Sequence, residues 1–272
     1  MASKSFFQVI TEAIRDIEAH GYDSQARIQR WILVIREAAA RHYTPQSMVE
    51  NMLNGMLRTV YTRFIEKDGV YKVHPGISRF TIDQMKPSLH RELERRMEAS
   101  RNLIKLHREE TIRKTIQRFE GWSTSVPAGG SNVVEVKEVK ENLTKPLTSL
   151  PYEERRVLID QAHKLISNIN DIIALDNNAL CAVWDSRWRQ PGYNYRPDHK
   201  ERDRKYYAIR GNWAMQKGLM KVGPAGYTDQ ITQPGEEPFC RCSYVYVYNL
   251  ASVPDYMLTV LGIKSLERVA AQ

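Results

Sequence analysis

Three cysteines in 272 residues are few, and they are odd in number. That count excludes a disulfide framework as the means of holding the fold together. No apolar run approaches the ~20 residues that span a bilayer, which excludes a transmembrane helix. The opening residues, Met1-Ala2-Ser3-Lys4-Ser5-Phe6-Phe7, pass directly into an amphipathic pattern containing Glu12, Arg15 and Asp16. No apolar centre of a secretory signal forms there, and the expectation is a protein that stays in the reducing cytoplasm where it is made. A phosphate loop, a glycine-rich dinucleotide fingerprint and a Gly-x-Ser-x-Gly elbow are all missing. His20, His42, His74, His90, His107 and His163 are scattered without a pairing motif, whereas a hydrolytic metal site needs an open position and a general base. No catalytic residue is assigned, and the chain is not expected to be an enzyme.

What is present describes a folded chain: 42% of residues are hydrophobic and 26% charged, a balance that disordered chains do not show. The formal charge is +8, and it is concentrated. Between Ser186 and Lys221 stand ten Arg and Lys against Asp198, Glu201 and Asp203, a local excess of +7. Such a concentration suits phosphate or an acidic partner. Cys181, alone in Leu180-Cys181-Ala182-Val183, reads as a small buried hydrophobe.

The first 120 residues carry helical periodicity. Phe6, Phe7, Ile10, Ala13, Ile14 and Ile17 share one face, and Gly21 is placed to end that helix. A second starts near Asp23 or Ser24 and turns Ile28, Trp31, Ile32, Ile35 and Ala38 inward. Thr44-Pro45 opens a third, with Val49, Met52, Met56, Val60 and Phe64 as its expected stripe. Val70 to Val73 suggests a short strand. Ile82 to Glu120 returns to helix, its start set by Pro87, with a mixed-charge surface of i to i+4 pairs.

Ser123 to Ser131, rich in small residues, Pro and Gly, reads as a linker or long loop. Val134 to Lys140 alternates and suggests an exposed strand. Pro151 to Asn177 is helical again. Asn178 to Asn249 is dense in aromatics, Gly and Pro, and Cys242 to Tyr248 alternates as a strand. One or two short helices follow from Asp255. The expected fold class is α+β: a mainly helical region over residues 1–122, a linker with an exposed strand over 123–150, and a small, loop-rich α+β domain over 151–272.

Two constellations carry chemistry. If Pro197 opens a helix, His199 and Asp203 share a face at i and i+4. In an extended strand Cys240 and Cys242 also point the same way. Two thiolates, one imidazole and one carboxylate would satisfy a tetrahedral zinc ion. The reading that comes first for the same four residues is a metal-free polar knot, with reduced cysteines and hydrogen bonds to loop backbone. The second constellation is basic residues interleaved with Trp184, Trp188, Tyr193, Tyr195, Tyr206, Tyr207 and Trp213. The aromatics read as the core of a small domain. Arg187, Arg189, Arg202, Arg204, Lys205 and Arg210 are candidates for phosphate contacts to DNA, or a solvated rim.

The run Trp184-Asp185, Arg196-Pro197-Asp198-His199, Asp203 and Pro234-Gly235-Glu236-Glu237-Pro238-Phe239-Cys240-Arg241-Cys242 resembles the phage Mu F-like head morphogenesis family, the minor head proteins of tailed bacteriophages. The likeness covers roughly residues 178 to 250. Two departures stand out: Arg204 follows Asp203 where many members have Gly, and Ile209 to Leu219 enlarges the stretch before Pro234. The resemblance implies an architectural protein of the virion, assembled in the host cytoplasm and held inside the capsid or at the portal vertex. The implied partners are the portal protein, the major capsid protein and packaged double-stranded DNA, with self-association through the mixed-charge helices and no membrane. The alternatives are a zinc-dependent nucleic-acid-processing protein, such as a small metal nuclease, and a stand-alone DNA-binding module.

Overall fold

A computed structural model of the protein describes residues 4–271. In chain order its regular elements are α1 (Phe6–His20), α2 (Gln25–His42), α3 (Gln46–Ile65), α4 (Arg79–Ser123), α5 (Val136–Asp176), β1 (Cys181–Asp185), α6 (Pro197–Glu201), β2 (Tyr206–Ala208), α7 (Trp213–Gln216), β3 (Ser243–Val247) and α8 (Val260–Ala270). The class is α+β, a helical N-terminal region followed by a small antiparallel sheet. The chain divides into two compact units, each built from two stretches: residues up to Asn54 with Ala99–Val157, and Gly55–Glu98 with Leu158 onward. A sequential division at 122 and 150 was expected. The division instead cuts through α3, α4 and α5.

In the first unit, α1 begins with a capping box. Ser5 Oγ accepts from the Gln8 N–H, and the Gln8 side chain accepts from the Ser5 N–H, which satisfies two donors that a helix start leaves open. The expected stripe of α1 is buried apart from the half-buried Phe7, and it packs with Ile28, Ile32 and Ile35 of α2, Ile116 and Phe119 of α4, and Leu143 and Leu147 of α5. Gly21 ends α1 at φ +67°, and a Cβ there would lie 1.7 Å from the Pro127 carbonyl oxygen. The stretch from 124 to 131 is therefore a docked loop. It donates Gly129 N–H to the His20 carbonyl and Ser131 N–H to the Glu18 carbonyl, closing the helix end, while Val126 accepts from the Tyr22 N–H.

Four expectations of local structure are corrected. Val134 to Lys140 is no strand, because α5 starts at Val136. The alternation of Val134 and Val136 overlaps a helical period that runs through Val139, Leu143, Leu147 and Leu150, the last three buried. Pro146 sits inside this helix. The Asn142 carbonyl, which Pro146 cannot serve for lack of an N–H, accepts from Arg118 Nη1 at 2.7 Å. Gly69–Lys72 is a 3₁₀ turn and not a strand, and Pro87 lies within α4 instead of starting it. On α3 the buried stripe starts at Val49 as expected but then runs through Leu53, Leu57, Tyr61 and Ile65, one ridge over from Met56, Val60 and Phe64, and Met52 faces outward.

In the second unit the sheet has the order β2-β1-β3, all antiparallel. Ala182 pairs with Tyr207 and Tyr246, and Trp184 with Tyr244. Because side chains alternate along a strand, these residues share one face with Cys240 and Cys242. Cys181 and Ala208 point to the other face, against Met220, Met257 and Leu258. Cys181 is fully buried, as its apolar neighbours suggested. Among the described residues no helix is long and apolar enough to cross a membrane.

Candidate metal centre and the basic depression beside it

The Trp184 face of the sheet is covered by short pieces of chain that side-chain contacts hold together. Pro197 occupies the first turn of α6, where its fixed φ favours helix, and α6 turns His199 inward until it is 1% exposed. From residue 233 the chain makes a series of turns. Gln233 N–H donates to Glu236 Oε2, and Gly235 takes φ +81° against α5, where a Cβ would meet Ser167 Oγ at 2.5 Å. Phe239, at φ +61°, donates its N–H to Asp160 Oδ1. Arg196 bridges the two pieces: its guanidinium pairs with Glu237 and donates to the Pro238 carbonyl.

This scaffold places His199 Nδ1 at 3.6 Å from Cys240 Sγ and 3.6 Å from Cys242 Sγ. All three side chains are buried, and together they form a cluster that could hold a metal ion. The other ring nitrogen, Nε2, has no hydrogen-bond partner in the structure. Its nearest carboxylate oxygens are Glu237 Oε2 at 3.6 Å and Asp198 Oδ2 at 3.9 Å. Trp184 closes the cluster with its ring 5.2 Å from the imidazole, edge to face.

The two sulfurs differ in their surroundings. A hydrogen bond from the Cys242 thiol, with the Gly235 and Cys242 N–H groups also aimed at the sulfur, holds the Cys240 thiol below its usual range against its burial. Cys242 is pushed up because its proton is engaged by Cys240 and because it is buried, while Ser186 and the Arg187 backbone favour its anion. Of the two, Cys240 gives up its proton more readily, and a metal ion held by both sulfurs would displace the proton that Cys242 keeps.

Asp203, expected as the fourth donor, is not in the cluster. Helix α6 ends at Glu201, so the i to i+4 face that would have aligned Asp203 with His199 does not continue. Its carboxylate instead accepts from the Ser186 N–H (2.9 Å) and Trp188 Nε1 (3.1 Å) and pairs with Arg189 (3.2 Å). Burial raises its pKa, but these bonds and that charge outweigh burial and hold it below the usual carboxylate range. The cysteines also differ from expectation, lying in the turn before β3 and not within the strand.

The candidate phosphate contacts separate into two groups. Arg187, Arg189 and Arg204 line one depression of about 750 Å³, joined by Arg241, which periodicity gave no reason to place there. Arg202 is held elsewhere, bonded to Asp198 and Thr232 with its guanidinium over Trp184. Arg210 pairs with Asp229 and stacks on Tyr227. Lys205 is exposed, outside the lining of the depression. Sequence reasoning also passed over Glu237, whose signal was its place beside the Cys-x-Cys turn.

No family model matches the chain, and neither does any curated protein or solved structure.

Proposed function

We propose that the protein is a minor head protein of a tailed bacteriophage, non-enzymatic, whose C-terminal module is tied by a structural zinc ion and meets packaged DNA. One observation supports this reading above others. Trp184, Arg196, His199, Glu237, Cys240 and Cys242, residues of the family-like run spread over almost sixty positions, interlock in one cluster. Chemistry that needs a substrate leaves its groups reachable, whereas His199 and Cys240 are 1% exposed and Cys242 5%. The module gains cohesion from them, as a part that must withstand assembly requires.

Zinc fits the donor set. Sulfur at about 2.3 Å and nitrogen at about 2.0 Å from a tetrahedral zinc stand about 3.5 Å apart, and both observed N···S distances are 3.6 Å. Bound zinc would tie β3 to α6 and take up the thiolate charge. Nε2, the nitrogen facing Glu237, would then carry the proton and present it to a carboxylate, the usual outer partner of a metal-bound histidine.

The alternative, a zinc-dependent nucleic-acid-processing protein, is favoured by one fact: three protein donors leave a fourth position for water. Its weakness is the missing base, since Glu237 and Asp198 lie at the ring nitrogen that faces away from the sulfurs. Substituting His199→Ala separates the two. A structural role costs folding or particle assembly, whereas a catalytic role leaves a folded protein without cleavage activity. Mapping the chain in purified particles tests the wider reading. Density inside the head or at the portal vertex supports it, and absence from the particle overturns it.

A further inference from the structure

We propose that the depression lined by Arg187, Arg189, Arg204 and Arg241 is a binding site for the phosphodiester backbone of double-stranded DNA. The proposal rests on the reading of this module as one that meets DNA, and it deepens that reading by naming the surface. Four guanidinium groups face a single lining carboxylate, Asp185. The acids nearby orient these arginines without occupying them: Arg187 reaches Asp185 at 3.2 Å, Arg189 reaches Asp203 at 3.2 Å and Arg204 reaches Asp185 at 3.9 Å. Each guanidinium carries five donors in a fork that matches phosphate oxygens, so such contacts leave most of them for a ligand.

Three features mark the surface as built for an anion. Arg204 holds φ +64°, a left-handed conformation that strains any residue with a Cβ. Its side chain is 70% exposed, so burial gives little back for that strain. What the position gains from arginine is charge at the rim. Arg189 and Lys200 both stand over the Trp188 ring, at 4.3 and 4.5 Å, which steadies two cations on one aromatic support. Two of the four arginines also inherit the order of the metal cluster, because Arg241 lies between Cys240 and Cys242 and the Arg187 backbone faces the Cys242 sulfur. The field of the site is felt by His163 in its lining, whose pKa is lowered first by burial and then by the charge of Arg241, with Arg187 adding to it against Asp160.

A wide, open bowl of guanidinium groups suits a chain of phosphates. Reading base edges requires a helix or ribbon that enters a groove, and this surface presents neither. Binding is therefore expected to be insensitive to sequence and steep in salt.

The test uses the purified full chain and a fluorescein-labelled 20-base-pair duplex of mixed sequence, with anisotropy titrations from 50 to 200 mM NaCl. The wild type is expected to bind with a linear log K against log salt. R189Q/R204Q/R241Q should flatten that slope by about 0.9 for each phosphate contact removed and lower affinity at 50 mM salt at least about tenfold. R204G should weaken binding while melting no lower than the wild type, because glycine relieves the strained φ, and R210Q, outside the depression, should change nothing. A folded triple variant and R204G that both bind as the wild type would overturn the site while leaving intact the reading that the protein meets DNA. No duplex binding by the wild type at 50 mM salt would overturn both. Displacement of the duplex by millimolar inorganic phosphate at constant ionic strength would reveal a pocket for one phosphate and overturn the backbone proposal.

Discussion

The guanidinium of Arg196 meets the carboxylate of Glu237 across forty residues of chain and also donates to the Pro238 carbonyl at 3.1 Å. This clamp joins the segment that carries His199 to the turn that carries Cys240 and Cys242. Charge-assisted bonds of this kind contribute roughly 1–2 kcal/mol each when partly shielded. Arg196→Ala is expected to lower the unfolding free energy by about that amount in urea melts. Arg196→Lys should recover only part of it, since an ammonium cannot reach both acceptors as a fork does.

The helix α1 and the loop after α4 are locked at Gly21. Alanine there meets both a positive φ and the Pro127 carbonyl oxygen at 1.7 Å, and backbone cannot yield as a flexible side chain does. Gly21→Ala should destabilise the protein by about 3 kcal/mol or more, combining left-handed strain with overpacking. An unchanged melting temperature would show that the loop does not close this helix.

Asp171 is half-buried and accepts from the Tyr246 hydroxyl at 2.7 Å. Burial outweighs that bond, Glu236 adds to it, and the carboxyl is pushed up to about 6. A folded pKa above the unfolded value of about 3.9 means the folded state holds the proton more tightly. Stability is therefore lost as pH rises from about 3.9 through 6, and the penalty is complete above that window. Asp171→Asn keeps an acceptor for Tyr246 and removes the charge. It should stabilise the protein by up to about 3 kcal/mol at pH 7.5 and by nothing near pH 3.8. Nearby His74 runs the other way, since burial holds it down at about 4 even though Asn170 bonds to it. Its contribution is lost as pH falls from 6.5 toward 4, so comparing the variant with the wild type isolates Asp171.

Cys181 is fully buried on the opposite face of the sheet from His199, Cys240 and Cys242, and burial pushes its thiol up to about 12. In the native protein it should resist Ellman's reagent until the sheet unfolds, and thiol titration in guanidinium should recover all three cysteines. Rapid labelling of Cys181 under native conditions would contradict the placement of β1 at the centre of the sheet.

Much of this was legible in the sequence. The stripes of α1 and α2 and the alternation of β3 follow from one-dimensional spacing, as does the shared side of Cys240 and Cys242, whereas their meeting with His199 was a hypothesis that the structure supports. What was not legible has physical causes. On α3, Met52 and Met56 lie beside Leu53 and Leu57, so two adjacent ridges are apolar and periodicity alone cannot choose the one facing the core. At Val134 to Lys140, three valines satisfy strand and helix periods at once, and burial of Leu143, Leu147 and Leu150 decides for helix. Asp203 was assigned to the cluster by assuming that α6 continues, and the helix stops at Glu201. Arg241 became visible only once the Cys-x-Cys turn was seen to direct it away from the sulfurs and into the depression.

The central claim is that His199, Cys240 and Cys242 hold zinc. Elemental analysis of the full chain, expressed with zinc in the medium and purified without chelator, measures it directly. The account requires about one zinc per chain, lost in Cys240→Ser/Cys242→Ser and accompanied by a lower melting temperature on chelation. A metal-free preparation that melts as one cooperative unit, with no response to zinc or chelator, would contradict it and leave the cluster as a hydrogen-bonded knot.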